Sequence, residues 1–257
     1  MNPHLARRAL AEFLGTALLV ATVVGSGITA QRLSPGDTGL QLLENSIATT
    51  LGLAAIILVF GPVSGAHLNP VVTLADYVLG RRAGIGPDLR TVAVYLPAQV
   101  AGGIGGAVLA NLMFALPAAT ASTHTRSAVN LWLGEVVATG GLILLVFALA
   151  RTQRGHYGPA AVGAYIGAAY WFTSSTSFAN PAVTIARGFT DTFAGIAPGS
   201  ISGFVFAQLL GAALGALVVA ALYPVARREA ADPLYVSCDL DAAQPVADGA
   251  RVPATRT

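Results

Sequence analysis

Charged residues are scarce in this sequence. Only 10% of its 257 residues are Asp, Glu, Lys or Arg, whereas soluble domains average about a quarter. All of the basic residues are arginine, and the net charge of +2 is too small and too scattered for a nucleic-acid-binding surface. Together with a hydrophobic share of 54%, this lack of charge excludes an ordinary soluble domain and indicates a protein of the lipid bilayer.

Cysteine and the common catalytic motifs are also nearly absent. The single cysteine, Cys238, excludes an intrachain disulfide and offers no metal-binding cluster. The sequence contains neither H-E-x-x-H nor G-x-S-x-G, and no Cys/His pair is placed for nucleophilic chemistry. We therefore predict that the protein is not an enzyme and that it uses no metal and no cofactor.

Long uncharged runs are what the sequence does contain. Because about 20 residues are needed to cross a hydrocarbon core, the apolar runs between charged or turn-rich breaks predict six membrane spans. The first run could be read as a signal peptide, but it has no clear cleavage signal and further spans follow it, so we expect a retained helix. The predicted spans are 8–30, 43–61, 91–114, 131–150, 157–174 and 200–224.

Arginine is concentrated in alternate connections between these spans. The positive-inside rule assigns the arginine-rich side to the cytoplasm, so we predict a multi-pass protein of the inner (plasma) membrane with both termini cytoplasmic. The polar stretch 225–257 has no apolar periodicity and is predicted to be a disordered cytoplasmic tail, which leaves 1–224 as the membrane domain. The arginine-rich side holds Arg7, Arg8, Arg81, Arg82, Arg90, Arg151, Arg154, Arg227 and Arg228.

Two further apolar pieces, 69–79 and 180–190, are too short to cross the membrane. Each has roughly 11 residues, which at ~1.5 Å per residue reaches about halfway through the hydrocarbon core. Each opens on an Asn-Pro motif, Asn69-Pro70-Val71 in the first and Asn180-Pro181-Ala182 in the second. Since proline is tolerated in the first turn of a helix, we predict two re-entrant half-helices.

The two Asn-Pro motifs belong to a longer internal repeat. Glu12 in the first span is matched by Glu135 in the fourth, and Gln99 in the third span is matched by Gln208 in the sixth. Each half carries three spans, so the second half enters the membrane with opposite polarity. The predicted fold is an all-α membrane protein with an inverted repeat, its halves being 8–114 and 131–224.

In this combination the chain resembles the aquaporin, or major intrinsic protein, superfamily, and the resemblance covers about 8–224. A single Asn-Pro-Ala is a weak signal, whereas two copies in matching frames with paired Glu and Gln anchors are specific. The resemblance implies six transmembrane helices, two half-helices and a channel domain that forms a homotetramer with one pore per subunit. Its expected partners are small neutral solutes and the lipid bilayer.

Asn69 and Asn180 are the predicted central donors of the pore. Two helix N-termini that meet near the midplane point positive dipole ends and carboxamide N–H groups at the lumen, where they repel cations and protons. Each asparagine could instead only cap its own helix, and the two roles are compatible.

Three ionisable residues are assigned to bracing. Glu12 and Glu135 lie within predicted spans, where a proton relay is one possibility. We favour acceptance of backbone N–H groups from the non-helical segments that lead into the half-helices, since those donors need partners in a dry environment. His67 is expected to brace its loop or to lie at the pore mouth, because no second ligand stands at a metal-binding spacing.

The selectivity constriction is where this chain departs from the family it resembles. Family spacing assigns the constriction to Thr49, Ala168, Ser177 and Val183. Most relatives have an arginine at the position of Val183, and water-selective members have a histidine at that of Ala168. Loss of a fixed charge with up to five donors predicts a wide and comparatively apolar constriction.

A wide constriction argues against strict water selectivity and favours larger uncharged solutes. The candidates are water, glycerol-like polyols and neutral metalloid hydroxides such as arsenous acid. Residues 173–183 resemble the bacterial aquaporin-like branch associated with arsenic resistance, which also has valine in place of the filter arginine.

Two charged residues beyond the half-helix motifs have alternative interpretations. Arg187 lies one helical turn beyond Val183 and either lines the outer vestibule or pairs with Asp191. Asp76 is at the matching offset in the first half, and we expect it to form a charge pair with Arg81 or Arg82.

Two other classes of function are compatible with parts of the pattern. An ion-coupled secondary transporter also uses inverted repeats and broken helices, but it would need a coupling-ion site that these spans do not offer. A non-conducting structural homologue is expected to carry bulky side chains at the constriction, whereas this chain carries small ones.

Overall fold

The computed structural model describes residues 3–81 and 84–224, and within them the regular structure is entirely helical. The polar tail predicted for 225–257, together with Arg82, lies outside the described residues. The eight α-helices are α1 Pro3–Leu33, α2 Thr38–Ser64, α3 Pro70–Arg81, α4 Leu89–Met113, α5 Val129–Arg151, α6 Gly158–Phe172, α7 Pro181–Ala186 and α8 Pro198–Leu222.

Helix ends follow local capping signals in the sequence. Asp37 precedes α2 and accepts a hydrogen bond from the N–H of Leu40 at 2.9 Å, and Asp88 precedes α4 and accepts from Thr91 at 2.8 Å. Both contacts satisfy N–H groups that have no partner inside the helix. At the other end of α2, Gly65 has φ of +89°, a left-handed conformation that glycine adopts without steric cost.

Five of the described helices are long and apolar enough to cross a membrane, namely α1, α2, α4, α5 and α8. The remaining predicted span, the fifth at 157–174, corresponds to α6, which has 15 residues and is preceded by a 3₁₀ turn at Gly155–Tyr157. The second half-helix is confirmed, since α7 has six residues and continues directly as a 3₁₀ turn at Arg187–Phe189. In the first half, α3 has 12 residues.

Glycines let α4 pack closely on α1 and let α8 pack closely on α5. A Cβ atom on Gly102 or Gly106 would overlap backbone atoms of α1, and one on Gly211 or Gly215 would lie 2.5 Å from a carbonyl oxygen of α5. These glycines are the small residues that allow membrane helices to approach each other. The same contact therefore occurs once in each half of the chain.

The helices end at two faces of the bundle. We call the face at which α1 begins and α8 ends the terminal face. There the Arg151 side chain donates to the Tyr223 carbonyl. At the opposite, far face, the Arg32 side chain donates to the Phe114 carbonyl at 2.9 Å. The loop 115–128 covers the far face and is fixed by backbone bonds such as that from the Ala197 N–H to the His124 carbonyl, 2.8 Å.

Candidate functional site

The two half-helices meet through their Asn-Pro motifs in the middle of the bundle. The Asn69 amide nitrogen donates to the Ala179 carbonyl, and the Asn180 amide nitrogen donates to the Leu68 carbonyl, each at 2.8 Å. Each asparagine oxygen also caps its own helix, accepting from Val71 at 3.1 Å in α3 and from Ala182 at 3.0 Å in α7. Capping and contact between the halves thus occur together, and both asparagines line a central cavity.

The backbone that leads into each half-helix adopts an unusual conformation. Ala66 and Leu68 have φ of +45° and +51°, and Ser177 and Ala179 have φ of +52° and +49°. Non-glycine residues are uncommon in this left-handed region, where strain costs of order 1–3 kcal/mol per residue. Such a backbone needs partners that hold it in place.

Two fully buried carboxylates supply those partners. Glu12 accepts from the N–H of His67 at 3.0 Å and from that of Leu68 at 2.6 Å. Glu135 accepts from the N–H of Phe178 and from that of Ala179, both at 2.8 Å. The structure therefore places both carboxylates against the backbone segments that we expected them to brace.

A glutamine joins each carboxylate to its half-helix. The Gln99 amide donates to Glu12 at 2.8 Å and to the Thr73 hydroxyl at 2.9 Å. The Gln208 amide donates to Glu135 at 2.6 Å and to Thr184 at 2.7 Å. The sequence identified these glutamines as repeat anchors but did not reveal what they bind.

His67 lines the part of the cavity nearest the terminal face. Its Nδ1 lies 3.1 Å from the Thr73 hydroxyl, and its Nε2 lies 3.2 Å from an Asp76 carboxylate oxygen. Our expected pair between Asp76 and Arg81 is therefore not what the structure shows, since Asp76 contacts His67 and the Arg81 guanidinium carbon lies 5.9 Å from the Tyr77 ring centre. Asp76 lies in the second turn of α3, and the loop that leads into this helix places the His67 ring against it.

Towards the far face the cavity is lined by three of the four predicted constriction residues, Thr49, Ser177 and Val183. The fourth prediction, Ala168, does not fit the geometry, because this residue is exposed on α6 and does not contribute to the cavity wall. Tyr170 takes part instead, and its hydroxyl lies 3.1 Å from that of Thr49.

The difference arises from counting positions through an irregular loop. Between α6 and the second Asn-Pro motif the backbone includes residues with positive φ, Thr176 among them. Side chains two positions apart on an α-helix point in directions that differ by about 200°. A two-residue difference in the path of the loop therefore decides whether Ala168 or Tyr170 faces the cavity. A signal for the inward face was present in the sequence, since the lining residues of α6 recur every four positions at Gly158, Val162, Ile166 and Tyr170.

Arg187 lies at the far end of the cavity. It is only 4% exposed, its Nε donates to the Ala194 carbonyl, and its guanidinium carbon lies 3.4 Å from the Phe178 ring centre. Of our two interpretations of Arg187, the pair with Asp191 is not what the structure shows, since the contacts of Arg187 are with Ala194 and Phe178. Arg187 also lines the cavity wall, and its vestibule role stays a prediction.

Asp191 has other partners. Its carboxylate accepts from the Thr123 N–H at 2.8 Å and lies 3.8 Å from His124. The hydrogen bonds from the Thr123 backbone and side chain hold the pKa of Asp191 below its ordinary value. These contacts tie the two far-face loops together.

The rest of the cavity wall is largely aliphatic. The cavity has a volume of about 90 Å³ and reaches from Gly155 near the terminal face to Arg187 near the far face. Polar groups are few, and the asparagine amides stand between the two ends. The apolar wall includes Leu19, Val23, Leu53, Leu142, Val146 and Ile166.

Comparison with known proteins agrees with this architecture. Residues 1–178 match the family described as Major intrinsic protein. The chain belongs to this family of membrane channels. It is 51% identical over 208 residues to the aquaglyceroporin AqpS of Rhizobium meliloti, a match that covers 81% of this chain and 86% of that protein.

Two more distant relatives extend the comparison. The glycerol uptake facilitator protein of Pseudomonas aeruginosa is 32% identical over 255 residues, which covers 84% of this chain and 88% of the relative. The crystal structure of the aquaglyceroporin from Plasmodium falciparum superposes with a TM-score of 0.59 at 22% identity, covering 85% of this chain and 96% of that one. At that level of identity the likeness concerns the fold.

Proposed function

We propose that the protein is a passive channel for small uncharged solutes, namely water, glycerol-like polyols and neutral metalloid hydroxides such as arsenous acid. The observation that supports this most directly is the cavity that reaches from Gly155 to Arg187 past both asparagine amides. Aliphatic walls with a few fixed donors suit a neutral solute that can accept hydrogen bonds and disfavour an ion.

The placement of the buried acids favours a channel over an ion-coupled transporter. Glu12 and Glu135 are both 0% exposed, and each accepts two backbone N–H groups and a glutamine amide. Acidic groups engaged in this way serve the backbone and are withdrawn from the lumen. A coupling ion would need acidic or carbonyl ligands that face the solute path.

The names of relatives support the choice of solute class. They include an aquaglyceroporin, a propanediol uptake facilitator and a glycerol uptake facilitator protein. Val183, with its short aliphatic side chain, lines the cavity where most family members have an arginine, which favours solutes larger than water. Arsenous acid is included because it is a compact neutral trihydroxide, similar to glycerol in its display of hydroxyl groups.

Arg187 is proposed to supply the cationic group of the outer vestibule in place of the missing filter arginine. It lies one helical turn beyond Val183, and Phe178 holds its guanidinium by a cation–π contact. We further propose a location in the inner membrane with both termini cytoplasmic, which the arginine distribution supports, and a homotetramer, which the resemblance to aquaporins implies.

A swelling panel of proteoliposomes in water, glycerol, urea and arsenous acid tests the proposal, with Val183→Arg as the matched variant. The wild-type protein is expected to conduct water and glycerol at rates linear in the gradient. The arginine should narrow the constriction and reduce glycerol and arsenous acid flux more than water flux. An unchanged solute profile in Val183→Arg would show that the constriction is elsewhere, and saturable, ion-dependent flux would indicate a transporter.

A further inference from the structure

The contact between Tyr170 and Thr49 gives the far half of the cavity a group that family spacing does not assign. Tyr170 is 4% exposed and Thr49 is 2% exposed. Both line the cavity, and their hydroxyl oxygens are 3.1 Å apart. Helices α2 and α6 thus contribute one hydroxyl each at this level of the cavity.

A hydroxyl pair leaves hydrogen-bonding capacity for a solute. Each hydroxyl has one donor and two acceptor positions, and the bond between them uses one donor and one acceptor. One proton and several lone pairs therefore remain. A solute hydroxyl, which both donates and accepts, matches this combination better than a group that only donates or only accepts.

Ser177 adds a third hydroxyl to the same stretch of wall. Its side chain is 3% exposed, it lines the cavity, and its oxygen has no hydrogen-bond partner among residues 3–81 and 84–224. Leaving a buried hydroxyl unpaired costs about 1–3 kcal/mol. The oxygen is enclosed in the wall, so the side chain has to turn towards the lumen before a passing solute can pair with it and recover that cost.

We propose that Tyr170 is the principal size- and polarity-determining residue of the constriction, and that with Thr49 and Ser177 it forms a three-hydroxyl site for polyols and neutral hydroxides. This inference rests on the proposed channel function and makes it more specific. The constriction is then narrower and more polar than the small residues counted by spacing predict, because an aromatic ring enters where alanine was expected.

The test measures the permeability of proteoliposomes to water, glycerol and the four-carbon polyol erythritol, normalised to the amount of protein reconstituted. Tyr170→Ala should raise the ratio of erythritol to glycerol permeability several-fold, because it removes the ring. Tyr170→Phe keeps the ring and removes the hydroxyl, so it should lower the ratio of glycerol to water permeability by about two- to tenfold, the equivalent of one hydrogen bond. Thr49→Val removes a hydroxyl and should also lower the ratio of glycerol to water permeability. Thr49→Ser keeps the hydroxyl and should retain the wild-type ratio.

Ala168→Phe is the matched control, since Ala168 lies two residues away on the same helix and is exposed. It should leave all three permeabilities unchanged. The inference is overturned if Ala168→Phe lowers erythritol flux while the Tyr170 variants behave like the wild type. If Tyr170→Ala fails to reconstitute, the nearly isosteric Tyr170→Phe decides, and an unchanged glycerol-to-water ratio in it overturns the inference. A wild-type protein that conducts none of the three solutes would instead refute the proposed function itself.

Discussion

Replacing Glu135 by glutamine should weaken the docking of the second half-helix. This change keeps the length of the side chain while it removes the charge and replaces one acceptor oxygen with a donor NH₂. The native carboxylate accepts the N–H of Phe178 and that of Ala179 at 2.8 Å and the Gln208 amide at 2.6 Å. In the variant, one of these three donors therefore faces another donor.

The size of the effect follows from these contacts. Hydrogen bonds to charged groups contribute ~1.5–3 kcal/mol and neutral ones ~0.5–1.5 kcal/mol, so three weakened bonds cost about 3 kcal/mol. An unpaired buried donor adds ~1–3 kcal/mol. Part of this total is offset because the neutral glutamine does not carry the desolvation cost of a buried carboxylate. A net loss of about 3 kcal/mol lowers the unfolding midpoint of a chain of this size by roughly 6–12 °C.

The assay combines thermal unfolding in detergent with glycerol permeability of proteoliposomes. We expect Glu135→Gln to lower both the midpoint and the permeability, since α7 has only six residues and depends on this brace for its position. Glu44→Gln is the matched control, because its Oε1 accepts a side-chain hydroxyl from Ser34 at 2.8 Å and glutamine retains an acceptor for it. A Glu135→Gln protein with wild-type midpoint and permeability would refute the bracing argument.

Two other predictions concern the far vestibule and the helix packing. Arg187→Leu should increase proton leak, measured with a pH-sensitive dye inside proteoliposomes, because it removes the cation beside the cavity. Arg187→Lys keeps a cation and should leak no more than the wild type. Equal proton leak in the wild type and both variants would exclude the vestibule role. Gly102→Val should destabilise the protein by several kcal/mol, since its Cβ would overlap the Phe13 backbone. Gly105→Val should have little effect in the same thermal assay, because its Cβ meets only the tip of the Phe13 ring at 3.9 Å; similar midpoints for the two variants would contradict the packing argument.

The features that the sequence predicted well are those carried by composition and repetition. Long uncharged runs identify the spanning helices because crossing the bilayer sets a minimum apolar length. Glu12 and Glu135 could be assigned to their loops because a buried acid in a membrane protein needs donors, and the adjacent non-helical backbone offers them. Neither inference depends on knowing how a loop is folded.

The features that the sequence did not predict depend on loop paths and helix rotation. Ala168 was placed in the constriction by counting through a loop in which Thr176 and Ser177 have positive φ, and the structure shows Tyr170 on the inward face. The sequence also did not reveal that the second half-helix changes from α to 3₁₀ geometry at Arg187. Asp76 was paired with Arg81 or Arg82 from proximity in sequence; the structure places it against His67, and Arg82 lies outside the described residues.

The two half-helices repeat the same backbone geometry but carry different side chains at the two ends of the cavity. The residue two positions before each Asn and the residue seven positions after it are in contact in both halves. In the first half these are His67 and Asp76, 3.2 Å apart, and in the second they are Phe178 and Arg187, with a cation–π distance of 3.4 Å. The repeated backbone thus places the same pair of positions at each end, with a carboxylate beside a histidine in the first half and a guanidinium beside an aromatic ring in the second.

This exchange of charge bears on the loss of the filter arginine. Asn69 and Asn180 both line the cavity, and each amide uses one N–H on a carbonyl of the other half, which leaves one N–H of each amide for the lumen. In our proposal the central barrier to cations therefore does not depend on position 183. Arg187 lies one turn beyond Val183 and lines the same cavity. In our proposal this separates the positive charge from the constriction, so that the channel can exclude cations while it admits solutes larger than water, and Tyr170 sets how large those solutes can be.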